Sequence, residues 1–288
     1  MENDLNARLA AMSAHFSKSQ RALANYIVDH CDKAAFLTAN KLGEAVGVSE
    51  STVVRFAVRL GYEGYPELQR AVQELIRNRL TAVQRLDVTA SLLDEQNVLK
   101  SVMREDIDRI SATLARVDAG VFDDVVRRTL RAERIYIIGL RSSSALAEFL
   151  YFYFNLIFED VKLLTSSSSS VLSEQLLRAK RGDAIIGISF PRYSRMTVDA
   201  LAYAHGKGAD VIAITDSPVS PLVQHADCAL YAESDTASFV DSLVAPMSLI
   251  NALVVATGMH RREALRQVFG DLEGIWDKYE VYRKAETL

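Results

Sequence analysis

Five short apolar runs constrain the fold of the residues after 134 more than any other feature of the sequence. Each run has four to six residues, ends in a loop that carries serine or glycine, and is separated from the next by a helix-like segment. Continuous apolar runs of this length are typical of strands buried on both faces, and their alternation with helices favours a parallel sheet. The predicted strands are Ile135–Gly139, Val161–Leu164, Ala184–Ser189, Val211–Thr215 and Cys228–Ala232.

The first part of the chain has the pattern of short helices. Thr38 is the predicted N-cap of a helix that Gly47 ends, and Ser49 is the predicted N-cap of the next helix, which Gly61 ends. Two short helices joined by a glycine turn favour a helix-turn-helix. The predicted fold class is therefore an all-α helix-turn-helix domain followed by an α/β domain, whose five-stranded parallel sheet is flanked by helices.

The domain boundaries follow from this change of pattern. Between Pro66 and Gly120 the chain contains neither proline nor glycine, and Asp87–Asn97 has the composition of a break in a helical segment. We expect a helix-turn-helix domain over residues 1–80, a helical linker over 81–118 and a sensor domain over 119–288.

Charge and cysteine content exclude several classes of protein. The 288-residue chain carries a formal net charge of −4, so a surface that binds nucleic acid has to be local. Residues 1–80 hold 10 basic and 9 acidic side chains, whereas the remainder holds 23 and 28. Cys31 and Cys228 have no metal-ligand or redox spacing, which predicts a reducing cytoplasm and neither metal nor cofactor. No segment has the length and apolarity of a signal peptide or a bilayer-spanning helix, so no membrane contact is expected.

The helix after Gly47 has an apolar and a polar side. Leu42, Val46, Val48, Val53 and Phe56 are the predicted core between the two helices. Small hydroxyl residues near a helix N-terminus approach phosphates closely, and an arginine further along reaches a base edge or a phosphate. An ordinary helical hairpin remains the alternative. The candidate DNA-binding residues are Ser49, Ser51, Thr52, Val54, Arg55 and Arg59.

The loops after the first three predicted strands are rich in hydroxyl and guanidinium groups. In a parallel sheet, ligands bind beyond the carboxyl ends of the strands, where helix N-termini offer free N–H groups. Such groups suit a phosphorylated, polyhydroxylated small molecule, although serines also cap helices and arginines also form ion pairs. The candidate ligand-binding residues are Arg141, Ser142, Ser143, Ser189, Arg192 and Ser194.

The stretch Phe36–Leu68 resembles the N-terminal domain of the MurR/RpiR family of bacterial transcriptional regulators. The matching residues are Thr38, Leu42, Val48, Ser49, Thr52–Phe56, Leu60–Tyr62, Gly64 and Tyr65. The resemblance implies a dimer-based repressor or activator in which Thr52 and Arg55 face a near-palindromic DNA operator.

Residues 134–256 resemble the sugar isomerase (SIS) domain, a five-stranded parallel sheet that binds phosphosugars and usually pairs as a dimer. Its first loop typically reads Gly-x-Gly-x-Ser, and here Arg141 replaces the second glycine. Its phosphate loop typically reads Ser-x-Ser-Gly-x-Thr, whereas the segment from Ser189 to Ser194 keeps only the outer hydroxyls and contains Arg192. Either these arginines bind a more anionic ligand or hold a phosphate by guanidinium instead of backbone N–H, or phosphosugar binding is lost and the arginines are structural.

Taken together, these features predict a non-enzymatic regulator of carbohydrate-metabolism genes that senses a phosphosugar or related anionic metabolite as a homodimer or homotetramer. A sugar-phosphate isomerase is the main alternative, because isomerisation needs a base. The candidate bases are Glu148, Glu174, His205, His225 and Glu233. A further alternative is a degenerate sensor domain or interaction protein, with Phe239–Arg261 and Glu263–Leu288 as its oligomer surface.

Overall fold

A computed structural model describes residues 5–76, 81, 83, 85–86, 97–166, 168–234 and 240–282. Contacts divide the chain into two units, Met1–Val102 with Asp235–Asp241 and Met103–Ser234 with Ser242–Leu288. Three predicted features lie wholly or mostly outside the described residues. They are the break at 87–97, the helix start at Phe239 and the end of the C-terminal tail. The domain boundaries at 80 and 118 stay predictions.

In its described part the first unit contains the α-helices α1 to α6, which enclose one apolar core. Leu23, Ile27, Leu42, Phe56 and Leu68 are among its fully buried side chains. The helices are α1 Leu5–Met12, α2 Lys18–Asp29, α3 Cys31–Ala34, α4 Ala39–Val46, α5 Glu50–Arg59 and α6 Tyr65–Ile76.

The predicted helix-turn-helix is confirmed in α4 and α5. The Thr38 hydroxyl accepts a hydrogen bond from the Lys41 amide, and Gly47 ends α4 in the left-handed conformation with φ of 74°. Ser49 precedes α5 as predicted, but its hydroxyl does not cap the helix. Ser49 Oγ instead lies within 3.0 Å of the hydroxyl oxygens of Ser51 and Thr52, because three adjacent hydroxyls satisfy one another.

The second unit contains the predicted parallel sheet. Its strand order is β2-β1-β3-β4-β5, and every pairing is parallel. All five predicted strands are confirmed, with ends that differ by at most one residue. The strands are β1 Ile135–Gly139, β2 Val161–Leu164, β3 Ala184–Ile188, β4 Asp210–Thr215 and β5 Cys228–Tyr231.

Helices cover both faces of this sheet, so β1 and β3 are buried throughout. Alternate residues of β1 point to opposite faces: Ile135 and Ile137 lie in one apolar core, and Tyr136 and Ile138 lie in the other. The helices are α7 Val98–Arg116, α8 Ala119–Arg131, α9 Ser144–Ile157, α10 Ser169–Gln175, α11 Arg195–Gly206, α12 Val244–His260 and α13 Arg262–Lys278. Helices α8, α9 and α12 pack on the first face, and α10 and α11 pack on the second.

The close approach of α4 to the start of α5 depends on Gly43. A Cβ atom built at this position would lie 2.7 Å from the carbonyl oxygen of Val48, a backbone atom that cannot rotate away. We therefore expect Gly43→Ala to destabilise the helical unit by about 1–3 kcal/mol. Urea unfolding monitored by far-ultraviolet circular dichroism measures this loss as an earlier loss of helix signal.

Gly274→Ala is the matched control, because this α13 glycine has nothing within 4 Å of its added Cβ. Alanine there should stabilise the helix by about 0.5–1 kcal/mol. The fluorescence of Trp276, the one tryptophan of the sequence, reports on the second unit and should be unchanged in Gly43→Ala. Equal unfolding curves for wild type and Gly43→Ala would contradict the packing described here.

Candidate functional sites

The polar side of α5 is open to solvent. Val53, Phe56 and Ala57 are fully buried against the other helices, whereas Arg55 is exposed and Val54 keeps 38% of its surface. Because these residues are neighbours in one helix, burial of Val53 and Phe56 on one side leaves Arg55 on the other side facing solvent. Five of the six candidate DNA-binding residues are exposed and the sixth, Thr52, is partly exposed.

The N-terminus of α5 presents the hydroxyl cluster of Ser49, Ser51 and Thr52. These three side chains bond to one another and lie at the end of the helix where backbone N–H groups are unpaired. A phosphate oxygen at this end therefore meets both hydroxyl and amide donors.

Arg59 differs from the other candidates because its guanidinium is partly engaged. Its Nη2 atom donates to the carbonyl oxygen of His15 over 2.8 Å. Arg8 donates to the carbonyl oxygens of Leu60 and Gly61 at 2.8 and 3.0 Å. The end of α5 is thus tied to the N-terminal segment, and Arg59 has a structural contact as well as an exposed position.

Helix α6 holds the segment that leads into α4. Tyr65 Oη and Gln69 Nε2 both donate to the Leu37 carbonyl oxygen, at 2.6 and 2.9 Å, and Gln73 Nε2 donates to the Ala35 oxygen at 3.0 Å. Burial raises the pKa of Tyr65 to about 12, so its hydroxyl stays protonated and remains a donor. These bonds fix the start of the helix-turn-helix.

A cavity of about 650 Å³ lies at the carboxyl ends of the first three strands, which is a volume typical of small-molecule sites. In the sheet, β2 pairs with one edge of β1 and β3 pairs with the other edge, so the strand order reverses at β1. Ligands of open parallel sheets bind at such a reversal. The lining residues are Gly139, Leu140, Arg141, Ser144, Glu148, Leu163, Thr165, Arg192, Tyr193, Ser194, Arg195 and Met196.

Three of the six candidate ligand-binding residues, Arg141, Arg192 and Ser194, line this cavity. Ser143 and Ser189 are each only 3% exposed and do not line it. The Ser189 hydroxyl accepts a hydrogen bond from the Ser194 amide over 3.0 Å. This bond joins the two ends of the loop after β3. Ser142 is exposed in a short 3₁₀ turn, outside the cavity lining.

Arg141 and Arg192 have left-handed backbones, with φ of 58° and 65°. For a residue with a Cβ atom this conformation costs roughly 1–2 kcal/mol. Both arginines stand where the SIS resemblance expects glycine, the residue that adopts this conformation without strain. At both positions a guanidinium group is therefore present on a backbone conformation that favours glycine.

The loop after β3 is braced from β4. Tyr193 Oη donates to Asp216 Oδ1 over 2.9 Å, and Asp216 is only 4% exposed. The hydroxyl oxygen of Thr215 lies 3.0 Å from the same carboxylate oxygen and 2.8 Å from Ser220 Oγ. Ser194 also accepts from the Thr197 amide as the N-cap of α11. These bonds fix the positions of Tyr193 and Ser194, the two residues that follow Arg192.

Several lining residues are not among the six candidate ligand-binding residues. Ser144 and Glu148 are four residues apart on α9 and so face the cavity together. Thr165 follows β2, and Arg195 starts α11, where it lies 3.7 Å from Asp199. Glu148 is one of the candidate bases, and Thr165 and Arg195 lie in the strand-end loops that the sequence indicated. The lining residues include three arginines and one glutamate, an excess of positive charge, although Arg195 is paired with Asp199.

Of the five candidate bases, Glu148 alone lines the cavity. Glu233 pairs with Arg116, and its backbone amide donates to Thr113. Burial raises the pKa of the Cys228 thiol to about 11, which keeps it protonated at neutral pH. In the described part of the chain no cluster of His, Cys, Asp and Glu could hold a metal ion, and no helix is long and apolar enough to cross a bilayer.

Comparison with known proteins agrees with this architecture. Residues 3–79 match the family model of the rpiR-family helix-turn-helix domain, and residues 130–256 match that of the SIS domain. An uncharacterized HTH-type transcriptional regulator of Caldanaerobacter subterraneus is 25% identical over 257 residues, which cover 88% of this chain and 89% of that protein.

Two solved structures are similar to this one. The sugar isomerase domain of an RpiR transcription factor from Sphaerobacter thermophilus has a TM-score of 0.59 and 29% identity, covering 62% of this chain and 98% of that one. The Vibrio vulnificus NanR protein complexed with ManNAc-6P has a TM-score of 0.57 and 22% identity, covering 93% and 97%. The chain therefore belongs to the MurR/RpiR family of transcriptional regulators, in which an rpiR-type helix-turn-helix domain is joined to a SIS domain.

Proposed function

We propose that the protein is a homo-oligomeric regulator of carbohydrate-metabolism genes that binds a near-palindromic operator and senses a phosphosugar or related anionic metabolite. Helix α5 is the proposed recognition element, and the cavity at the carboxyl ends of β1, β2 and β3 is the proposed effector site. The observation that carries this proposal is the cavity, with its excess of positive charge, at the strand reversal of a SIS sheet, in a chain that also contains the exposed α5 face.

The chemistry of the α5 face supports DNA binding. The hydroxyl cluster of Ser49, Ser51 and Thr52 suits a phosphate at the helix N-terminus. Arg55 lies further along the same face, where its fork can pair with the acceptor edge of guanine in the major groove. The apolar surface of Val54 suits the methyl group of thymine. One protomer supplies one such face, so a two-fold oligomer fits a near-palindromic operator.

The cavity chemistry supports a phosphorylated sugar. The N-termini of α9 and α11 open toward it, and its lining adds guanidinium and hydroxyl donors for phosphate. Glu148 and Thr165 offer partners for sugar hydroxyls. The ManNAc-6P complex of NanR is a phosphosugar complex of a protein with the same fold, which agrees with this ligand class.

A sensor also needs a path from its site to other parts of the molecule. Within the second unit, α7 is bound to the segment after β5: Ser242 donates to Asp106 over 2.7 Å, and the Glu233 amide donates to Thr113 over 2.9 Å. Effector binding changes DNA affinity only when the effector binds two arrangements of this helix with different affinity.

We expect Arg55→Ala to abolish binding to the operator, because the arginine supplies the specific contact, while the oligomer stays intact. Gel-shift assays with promoter DNA measure binding, and light scattering measures the oligomer. Arg21→Ala is the control, since Arg21 is an exposed arginine of α2 outside the α5 face. Sequence-specific binding by Arg55→Ala would contradict the assignment.

Wild-type binding should also weaken steeply with salt, because phosphate contacts release counterions. Between 50 and 200 mM salt the expected loss is on the order of 10³-fold for about six phosphate contacts. Fluorescence anisotropy with labelled operator measures this slope. A binding constant that does not depend on salt would exclude the proposed phosphate contacts.

The cavity is expected to bind phosphosugars without converting them. A thermal-shift screen of phosphorylated sugars and polyols should identify stabilising ligands, and phosphorus NMR of the same mixtures should show no aldose–ketose interconversion. Turnover that Glu148→Gln removes would establish the isomerase alternative, for which Glu148 is the candidate base. Absence of any stabilising phosphosugar would contradict the sensor.

A further inference from the structure

We propose that the outer face of α2 is an interface between two copies of this chain, in which α2 packs antiparallel to its counterpart about a two-fold axis at Asn25. The interface joins the helical units of two protomers. It goes beyond the proposed function, which does not say which surfaces meet in the oligomer, and it rests on that function only for the presence of an oligomer.

The outer face of α2 is uncovered in the described part of the chain. The inner side of the helix is buried in the apolar core of the helical unit. On the outer side, Val28 keeps 57% of its surface, although valine is an apolar residue. The exposed residues of this face are Arg21, Ala22, Asn25, Val28 and Asp29.

Two cavities flank this face. One, of about 510 Å³, lies between α1 and α2, and the other, of about 410 Å³, lies beside the start of α2. Arg21 and Asn25 line both cavities, so the two adjoin along the helix. Small side chains of the N-terminal segment also line the larger cavity, namely Ala10, Ser13 and Ala14. Side chains of a second helix therefore have room beside α2.

The charges of this face are symmetric about Asn25. Arg21 lies four residues before Asn25, and Asp29 lies four residues after it. Each is displaced about 6 Å along the helix axis and about 40° around it, in opposite senses. A two-fold axis through Asn25, perpendicular to the helix, reverses both displacements. It therefore places Arg21 of one protomer opposite Asp29 of the partner subunit, and this pairing occurs twice.

The same axis matches the apolar and amide groups. Ala22 and Val28 lie three residues before and after Asn25, so Ala22 meets Val28 of the partner subunit. The two Asn25 side chains meet at the axis, where each amide has a donor and an acceptor for the other. The face is thus complementary to itself in charge, apolar contact and hydrogen bonding, as a two-fold interface between identical chains requires.

Charge also favours a second copy over nucleic acid as the occupant. The charges of Arg21 and Asp29 cancel, so this face does not attract phosphates. In the described part of the chain neither side chain has an ion-pair partner, so both charges are open to a partner molecule.

The size of the face sets the strength of the contact. One helix packed against another covers less than the roughly 1,200 Å² of a standard protein interface. Such a contact is too small to hold two free chains together. It suffices to pair helical units that an oligomer already keeps at high effective concentration.

Disulfide crosslinking of the full-length protein tests the axis. Cys31→Ala and Cys228→Ala remove the native thiols, and Asn25→Cys then places two thiols at the two-fold axis, within the separation that a disulfide spans. Mild oxidation should link the chains into covalent dimers. Ser19→Cys is the matched control, because Ser19 is exposed on α2 but lies about 120° around the helix from Asn25. It should crosslink about tenfold more slowly or less.

Charge reversal tests the antiparallel register. Arg21→Glu or Asp29→Arg places like charges opposite each other at both ends of the interface, and each should slow the Asn25→Cys crosslink about fivefold or more. The double variant restores opposite charges and should restore the crosslinking rate. Arg21→Ala adds no repulsion, so it should slow the crosslink only about twofold and keep sequence-specific operator binding. Circular dichroism should show wild-type helix content for every variant, since both side chains are exposed.

Light scattering distinguishes failure of this inference from failure of the proposed oligomer. If the protein is oligomeric and Asn25→Cys crosslinks no faster than Ser19→Cys, the inference is wrong, the face belongs to a different partner and the proposed function stands. A monomeric wild type would overturn the oligomer and this interface together. A double variant that crosslinks as slowly as the single reversals would contradict the pairing of Arg21 with Asp29 of the partner subunit.

Discussion

The reversal of strand order at β1 is the constraint on which the proposed effector site depends. Parallel connections are right-handed, so the helices that leave β1 and β3 in opposite directions along the sheet have to cover opposite faces. Their N-termini consequently diverge and leave a crevice between the strand ends. The cavity is lined by the loops at this crevice, and its donors come from two helices that belong to different apolar cores.

The loops at this crevice hold two arginines in a strained backbone conformation. Arg141 and Arg192 adopt the positive φ that glycine favours. Strain of this kind persists only where surrounding contacts hold it. The bond from Tyr193 to Asp216 and the bond from the Ser194 amide to Ser189 supply such contacts around Arg192.

The helix-turn-helix depends on different physics. Its two helices approach so closely at Gly43 that no side chain fits, and hydrogen bonds from α6 hold the segment before α4. Burial of Val53 and Phe56 then leaves Arg55 outward. The exposed face of α5, which we propose binds DNA, is therefore a consequence of the small core below it, rather than of a strongly basic composition.

The amino-acid sequence by itself determined the five strands, the glycine turn at Gly47 and the two faces of α5, because these features depend on local periodicity and turn chemistry. Tertiary structure decided which strand-end residues share a cavity, since that depends on the order of strands in the sheet. It brought Glu148, Thr165 and Arg195 beside Arg141 and Arg192, and it removed Ser143 and Ser189 into the interior. It also turned the Ser49 hydroxyl to its neighbours and tied Arg59 to His15, because a side chain's partner depends on distances that sequence spacing does not specify.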